Sequence, residues 1–251
     1  MKNAFKFILI GFIQGITEFL PVSSSGHIVL FGSLFELDNL LLISIVAHIG
    51  TLFAVIFCYR KKLIELIKNP KNPTTFNLII ATIPTVIIVL LFNKFLEDNF
   101  SIHTLVWGFL LSAILLLVAD LKKTGHKPLN KQSAVYMGLT QGLALLPGIS
   151  RSGSTLTCGL LLGYDKQETL DFSFLMSIPI ILASAIYETF SLFSSQITVN
   201  WFGIFLVMIS SFFFGILSIK IMLKTVKQNK LYFFSIYLII LSLIILLFLW
   251  F

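Results

Sequence analysis

Long apolar stretches alternate with short polar intervals along this chain. Six of the stretches are continuous enough to cross a membrane, since a helix needs roughly 20 apolar residues to span about 30 Å of hydrocarbon. They lie at residues 41–59, 76–92, 102–119, 172–190, 201–219 and 232–250. The pattern predicts an all-α polytopic membrane protein with six transmembrane helices.

Two other apolar stretches, residues 4–34 and 133–163, are interrupted at their centres. Each contains a proline, glycines and a cluster of serines where a spanning helix would be most regular. Backbone that such residues free from helical hydrogen bonds cannot face lipid. It is tolerated at membrane depth only against protein or a water-filled cavity. The two stretches are therefore predicted to be re-entrant helix-turn-helix hairpins, which enter and leave the membrane on the same side.

The two interrupted stretches resemble each other in sequence. A shift of 127 residues places Gln14 on Gln141 and Gly26 on Gly153. Each hairpin is followed by three predicted spans, and this odd number inverts the second copy relative to the first. Inverted repeats with broken helices form their binding sites near the bilayer midplane, where the repeats meet. The chain is thus predicted to be a single membrane domain, residues 1–251, with repeats at about 1–121 and about 131–251.

The composition excludes several classes of protein. Hydrophobic residues make up 57% of the 251 residues and charged residues 12%, whereas soluble domains carry roughly 25% charged residues. A soluble enzyme, a disordered chain and a nucleic-acid-binding protein are therefore excluded, despite the net charge of +7. If both hairpins are re-entrant, 14 of the 18 lysines and arginines lie on one side and 3 on the other. The positive-inside rule places the richer side in the cytoplasm and both termini outside.

Arg151 is the first candidate for chemistry, because an arginine deep in a membrane protein is costly and functional by default. Hydroxyl groups and a glycine surround it in the sequence, at Ser150, Ser152, Gly153 and Thr155. A planar fork of donors with hydroxyls and exposed backbone amides suits a phosphate or another anion, and a helix beginning here would add its dipole. The alternative is a structural pair between Arg151 and Glu18.

Gln14 and Glu18 lie four residues apart, so a helix puts both side chains on one face. Together they offer oxygen ligands to a hard divalent cation, Mg²⁺ or Ca²⁺. One carboxylate and one amide make a sparse site, which water and substrate oxygens would have to complete. The alternative is that Glu18 is a structural cap or ion-pair partner.

The serine cluster Ser23, Ser24 and Ser25 is followed closely by His27. A hydroxyl near an imidazole is the arrangement of a nucleophile and its base. His27 is equally a candidate for the nucleophile or the general acid, and a hydrogen-bonded structural histidine is the remaining interpretation. Serines in a turn also satisfy loop backbone.

Other polar residues in the predicted spans carry weaker signals. His48 is interpreted as a packed helix residue, and Glu188 as an interfacial residue near a helix end. Asp171 and Ser173 are expected to cap the start of a span.

At these residues the sequence resembles a known family. TEFLPVSSSGH (17–27) with Gln14 upstream, and PGISRSGST (147–155), look like the two signature motifs of bacterial undecaprenyl-diphosphate phosphatases of the bacitracin-resistance type. The similarity extends over essentially the whole chain and includes DFSFLMSIP (171–179). Either motif alone is moderately specific, and the pair at this separation is highly specific.

The resemblance implies hydrolysis of undecaprenyl diphosphate to undecaprenyl phosphate and phosphate, which renews the lipid carrier for peptidoglycan and other envelope polymers. It implies a divalent cation, a location in the bacterial inner membrane and a site open to the periplasm. Bacitracin would compete for the lipid substrate, and a homodimer is compatible with the family. This chain has the glutamine form of the first acidic motif, Gln14 with Glu18, and so a single carboxylate for the metal.

Carried over by position, the resemblance assigns a role to each motif residue. Glu18 would bind metal or activate a nucleophile, and Arg151 would hold the diphosphate. Ser24 or His27 would attack the terminal phosphorus, unless activated water does so. The remaining residues would line the phosphate pocket: Ser23, Ser25, Ser150, Ser152, Gly153 and Thr155. The competing hypothesis is a transporter or flippase of a lipid phosphate, because inverted repeats are also how transporters are built.

Overall fold

The computed structural model describes residues 2–35, 39–98, 101–122, 125–192 and 199–250. Ten α-helices account for the regular structure of these residues. The first five are α1 (Lys2–Phe19), α2 (Ser24–Leu34), α3 (Leu40–Lys68), α4 (Pro73–Asp98) and α5 (Ile102–Leu121). The others are α6 (Lys131–Leu143), α7 (Arg151–Leu161), α8 (Lys166–Leu192), α9 (Trp201–Lys227) and α10 (Tyr232–Trp250).

Within the described residues six helices are long and apolar enough to cross a membrane. They are α3, α4, α5, α8, α9 and α10, which confirms the six predicted spans and the all-α class. The protein is a multi-pass helical membrane protein. Four helices extend well beyond their predicted bounds, since α3 ends at Lys68, α4 covers Pro73–Asp98, α8 begins at Lys166 and α9 ends at Lys227. Charged residues end the apolar pattern there without ending the helix, because lysine is a good helix former.

The predicted capping role of Asp171 is wrong for the same reason. Helix α8 begins five residues earlier, and the side chain of Asp165 caps it by accepting a hydrogen bond of 2.9 Å from the amide of Glu168. The Asp171 carboxylate instead accepts a hydrogen bond of 2.7 Å from the hydroxyl of Tyr59 on α3. It therefore joins two spans rather than starting one, and Ser173 likewise lies inside α8.

The two interrupted stretches form two helix pairs, α1 with α2 and α6 with α7. Their second helices recur at the spacing of the sequence motifs, since α2 covers residues 24–34 and α7 covers residues 151–161, a shift of 127 at both ends. The turn before α7 contains Gly148, whose φ of 82° is a left-handed conformation that glycine adopts without steric cost. The helix-turn-helix form of both stretches thus follows from where the glycines, prolines and serines stand.

Each helix pair packs its first helix against a span of the other half of the chain. Helix α1 packs along α9, and a Cβ at Gly11 would lie 2.5 Å from the carbonyl oxygen of Val207. Helix α6 packs along α4, and a Cβ at Gly138 would overlap the carbonyl oxygen of Ala81. Glycine is required at both contacts because the backbones touch. The halves are thereby interlocked, and the two turns are brought together.

Aromatic side chains fill the interior around the first turn. Phe19, at the end of α1, is fully buried and meets Phe174 of α8 edge to face, with ring centroids 5.4 Å apart. Phe109 of α5 is also fully buried and lies against Gly26, where a Cβ would be 2.5 Å from its ring. These rings fix the turn between α1 and α2 in place, since close-packed interiors leave little room for movement.

Candidate active site

A cavity of about 400 Å³ lies where the turns of the two helix pairs meet α3 and α8. Polar side chains make up 12 of its 22 lining residues, and the others are apolar. The polar lining consists of Thr17, Glu18, Ser23, Ser24, Ser25, Ser44, His48, Gln141, Ser150, Arg151, Ser184 and Glu188. A pocket that combines apolar walls with convergent polar groups is the usual form of a binding site.

Glu18 and Arg151 join the two sequence motifs across this cavity. The Arg151 guanidinium donates a hydrogen bond from Nη2 to Glu18 Oε1, although the two residues are 133 positions apart. Glu18 is 6% exposed, so its charge is compensated by the arginine rather than by water. The second terminal nitrogen, Arg151 Nη1, is buried and has no hydrogen-bond partner among the described residues. The guanidinium therefore has a donor left for an anion.

The other carboxylate oxygen of Glu18 receives two donors from the first motif. Ser24 Oγ donates to Oε2 over 2.6 Å, and Gln14 Nε2 donates to the same oxygen over 2.9 Å. A hydroxyl that donates to a carboxylate is in position to lose its proton to that carboxylate. Ser24 is half-buried and lines the cavity. The Ser24 hydroxyl therefore has a base, the Glu18 carboxylate, within hydrogen-bond distance.

His27, the other nucleophile candidate, faces away from the cavity. Its side chain is 2% exposed and is absent from the cavity lining. Nδ1 lies 2.7 Å from the carbonyl oxygen of Ser23, and Nε2 lies 2.6 Å from the hydroxyl of Tyr237. Both ring nitrogens are therefore occupied by protein groups, so of the two candidates only Ser24 is presented to a substrate in the cavity.

The second motif contributes three residues to the cavity lining, Ile149, Ser150 and Arg151. Ser150 is the N-cap of α7, and its Oγ accepts a hydrogen bond of 3.1 Å from the amide of Gly153. Helix α7 begins at Arg151 and helix α2 begins at Ser24, so both helices start at the cavity. The positive ends of two helix dipoles then point toward one space, which favours an anion there.

The remaining residues of the second motif hold α7 in place instead of lining the cavity. Ser152 Oγ donates to the carbonyl oxygen of Leu20 over 3.1 Å, and Thr155 Oγ1 lies 2.6 Å from Ser173 Oγ on α8. A Cβ at Gly153 would lie 3.0 Å from Pro21 Cβ, so the turns of the two pairs touch there. The motif predicts substrate binding for Ser152, Gly153 and Thr155, whereas the structure places Ser152 and Gly153 against the turn of the first helix pair and Thr155 against α8.

Comparison with known proteins gives the family. A sequence model described as "Bacitracin resistance protein BacA" matches residues 7–244. The chain belongs to the BacA family. The undecaprenyl-diphosphatase of Carboxydothermus hydrogenoformans is 39% identical over 97% of both chains. That of Borrelia recurrentis is 35% identical over 95% of this chain and 96% of its own, and that of Alkaliphilus metalliredigens is 38% identical over 94% of each. The family resemblance carried by the two motifs is confirmed.

Two ionisable cavity residues of this BacA protein, His48 and Glu188, lie outside both motifs. His48 Nε2 is 3.7 Å from Glu18 Oε2, and its Nδ1 lies 2.8 Å from the carbonyl oxygen of Ser44. Glu188 lines the cavity from α8, together with Ser184. The sequence indicates a packed helix residue at His48 and an interfacial residue at Glu188, whereas the structure places both at the cavity. The available signal was the spacing, because each polar pair is four residues apart on an otherwise apolar span.

A divalent cation can be tested against the residues that this BacA protein offers. No group of three His, Cys, Asp or Glu side chains is close enough to hold a metal in the part of the chain described. The Gln14 Oε1 oxygen is buried, lacks a hydrogen-bond partner among these residues and belongs to the amide that contacts Glu18. Gln14 and Glu18 are therefore the oxygen ligands that the first motif would offer to a hard cation, and a cation there would have to displace hydrogen bonds that Glu18 accepts from Gln14, Ser24 or Arg151.

Proposed function

We propose that this protein hydrolyses undecaprenyl diphosphate to undecaprenyl phosphate and inorganic phosphate. The observation that carries the proposal is the arrangement of Ser24, Glu18 and Arg151, which supplies a hydroxyl, its base and an anion-binding group in one cavity. The printed names of the relatives, undecaprenyl-diphosphatases at 35–39% identity over nearly full length, support the same substrate.

Substrate binding in this proposal rests on fixed positive groups. The diphosphate enters with its terminal phosphate toward Arg151 Nη1 and the first turns of α2 and α7. These donors are in place before the reaction, and such preorganised groups stabilise the charge that develops on the phosphoryl oxygens. The long isoprenoid tail remains in the apolar surroundings of the spans.

The chemical step then uses the first motif. Ser24 Oγ attacks the terminal phosphorus while its proton passes to Glu18 Oε2. The bond from phosphorus to the bridging oxygen breaks, and undecaprenyl phosphate leaves. The leaving undecaprenyl phosphate takes the proton from Glu18. A water molecule then attacks the phosphoserine, passes one proton through Glu18 to the serine oxygen and keeps the other on the released phosphate. A bound Mg²⁺ or Ca²⁺ supplies charge neutralisation at the phosphate oxygens; Gln14 Oε1 and Glu18 are the groups that would hold it.

The orientation in the membrane is part of the proposal. The protein lies in the bacterial inner membrane, with the lysine-rich ends of the spans in the cytoplasm, in agreement with the positive-inside rule. Both helix pairs are re-entrant hairpins of an inverted repeat, and the cavity opens to the periplasm. Bacitracin competes with the enzyme for the lipid diphosphate. A homodimer is the oligomeric state to test by light scattering in detergent.

Phosphate release by the purified protein in detergent tests the function. The substrate is a long polyprenyl diphosphate, with Mg²⁺ or with a chelator. Arg151→Ala is compared with Arg60→Ala, which removes the other arginine of the chain at an exposed position on α3. Release that disappears with chelator and in Arg151→Ala, and persists in Arg60→Ala, is the expected result. An equal rate in the two arginine variants would contradict the site.

Transport of a lipid phosphate is the second candidate function. The recurrence of α2 and α7 at a shift of 127 residues favours it, because repeats that meet at a cavity are also the architecture of transporters. Flux of a lipid phosphate across sealed vesicles without phosphate release would support transport. Hydrolysis in detergent, where no second compartment exists, would support the phosphatase.

A further inference from the structure

Tyr237 contacts the first motif from a helix that contributes nothing to the cavity lining. It lies on α10, and its hydroxyl is 2.6 Å from Nε2 of His27. The two rings are stacked, with centroids 5.7 Å apart and an angle of 14° between their planes. Neither residue lines the cavity, so neither touches a substrate that occupies it. Their contact has to act through other residues if it bears on the reaction.

The next contact runs from His27 to the backbone of the turn. Nδ1 of His27 lies 2.7 Å from the carbonyl oxygen of Ser23, and the His27 amide donates to the same oxygen over 3.3 Å. A carbonyl oxygen only accepts, so Nδ1 carries the hydrogen. In the neutral ring Nε2 is then an acceptor, and the Tyr237 hydroxyl donates to it. The hydroxyl thus fixes both the orientation and the tautomer of the imidazole.

Ser23 needs such support because its backbone is strained. Its φ of 67° lies in the left-handed region, which a residue with a Cβ enters at a steric cost. Such conformations persist where surrounding contacts fix them, and they cluster at functional sites. The contacts here are the two donors from His27 to the Ser23 carbonyl. The strained residue immediately precedes Ser24, whose hydroxyl lies 2.6 Å from Glu18 Oε2.

We infer that Tyr237 is a positioning residue for the proposed phosphatase reaction. Its hydroxyl orients His27, His27 holds the carbonyl of Ser23, and the resulting turn aims the Ser24 hydroxyl at Glu18. The inference rests on the proposed function, since its effect is measured as turnover. Removal of the Tyr237 hydroxyl leaves the cavity lining intact, but it allows the Ser24 hydroxyl to move away from its position against Glu18. The structure therefore assigns to Tyr237 an effect on kcat with little effect on KM.

Tyr237→Phe tests the inference, because it removes one oxygen and keeps the stacked ring. Tyr232→Phe is the matched control, with the same change on the same helix at a ring that contacts Phe233 of α10 instead of His27. We expect kcat of Tyr237→Phe to fall about 10-fold to 100-fold, the range for a small misplacement of a reacting group. KM is expected to stay within about twofold of the wild type. Tyr232→Phe is expected to behave as the wild type.

A second measurement separates positioning from a general loss of structure. Ser23→Ala and Ser23→Gly both remove the Ser23 hydroxyl, but alanine keeps the strain at φ 67° and glycine removes it. Tyr237→Phe is introduced into each of these two backgrounds. If Tyr237 acts by holding the strained turn, its substitution lowers kcat about 10-fold or more in the Ser23→Ala background and has little effect in the Ser23→Gly background. A merely structural tyrosine would have the same effect in both.

The outcomes keep this inference apart from the proposed function. A wild-type protein that releases no phosphate contradicts the proposed function. An active wild type whose Tyr237→Phe variant matches Tyr232→Phe in kcat contradicts the role of Tyr237. A fall in kcat that is equal in the Ser23→Ala and Ser23→Gly backgrounds, or one that comes with a lowered melting temperature and a raised KM, also overturns it.

Discussion

Ser24 and Glu18 are joined by a hydrogen bond of 2.6 Å across the turn between α1 and α2. The turn brings Ser24 back against the end of the helix that carries Glu18, six residues earlier in the chain. The opposite oxygen of the carboxylate receives Arg151 from the second helix pair. The buried Glu18 carboxylate thus links the Ser24 hydroxyl of one motif to the Arg151 guanidinium of the other. Removal of Ser24 and removal of Arg151 are expected to have different consequences.

Removal of Arg151 should cost stability as well as activity. Arg151→Ala leaves Glu18, which is 6% exposed, as an uncompensated buried charge, and breaking such a pair costs about 3–5 kcal/mol. The variant is therefore expected to melt at a lower temperature in detergent. Glu18→Gln combined with Arg151→Ala removes the charge and should recover much of the lost stability. The double variant should remain inactive, because the cavity then has neither the base nor the arginine.

Thermal unfolding of the two variants beside Arg60→Ala measures this effect. Arg60 is exposed and its guanidinium lies 4.7 Å from the ring centroid of Phe57, so its removal leaves no buried charge. Surface substitutions of this kind usually change stability by about 0.5 kcal/mol or less. Equal melting temperatures for Arg151→Ala and the double variant would show that the pair does not carry a buried charge.

Ser24→Ala should abolish turnover and the covalent intermediate together. The proposed nucleophile is the Ser24 hydroxyl, and loss of a nucleophile or its base costs about 10⁴-fold or more in hydrolases of known mechanism. The wild type, quenched in acid during turnover, is expected to carry a phosphate on the peptide that contains Ser24 by mass spectrometry. Ser242→Ala is the control, since its Oγ donates within α10 to the carbonyl of Leu238.

His27→Ala in the same experiment separates the two nucleophile candidates. With both ring nitrogens bound to Ser23 and Tyr237, His27 is expected to affect the rate without carrying the phosphate. The phosphorylated peptide should therefore still form, more slowly. A parallel quench of the wild type in base would preserve a phosphohistidine, which acid destroys. Its detection would contradict the assignment to Ser24, and so would a Ser24→Ala variant with normal turnover.

The sequence predicts the spans well and their ends poorly. Length and continuity of apolar residues decide whether a helix can cross the membrane, and both are visible in the sequence. The ends of α3 and α9 depend instead on helix propensity outside the hydrocarbon. Lysine ends the apolar pattern there, but it is a good helix former, so the helix continues. The capping residue of α8 was misplaced for this reason.

The sequence predicts the residues that meet at the centre of the candidate cavity and misses those that only packing brings near it. Glu18, Ser24 and Arg151 stand out because a charge or a serine cluster is unusual inside an apolar hairpin. His48 and Tyr237 reach the first motif from α3 and α10, and no local pattern connects those helices to it. Thr155 was predicted to face the cavity, but the rotation of α7 turns its hydroxyl toward α8.

Two substitutions of Gln14 should change the cation dependence of the activity in opposite directions. If Gln14 and Glu18 hold Mg²⁺ or Ca²⁺, Gln14→Glu adds a second carboxylate and should lower the cation concentration needed for half-maximal activity. Gln14→Leu, which removes the buried oxygen, should raise it. The measurement is phosphate release across a titration of each cation after treatment with chelator. The same half-maximal concentration in both variants would place the cation elsewhere.

Gly138→Ala should destabilise the protein without touching the cavity. Helix α6 lies against α4 at this position, and a Cβ there would overlap the carbonyl oxygen of Ala81, which is backbone and has nowhere to move. Overpacking of a close contact costs about 1–3 kcal/mol. Leu139→Ala, one residue along and 39% exposed, is the control for helix α6 and should cost less. Melting temperatures in detergent compare the two.

Gly11→Ala should behave like Gly138→Ala, because the carbonyl oxygen of Val207 lies against α1 in the same way. Unchanged melting temperatures for both glycine variants would contradict the close packing that brings the two turns together.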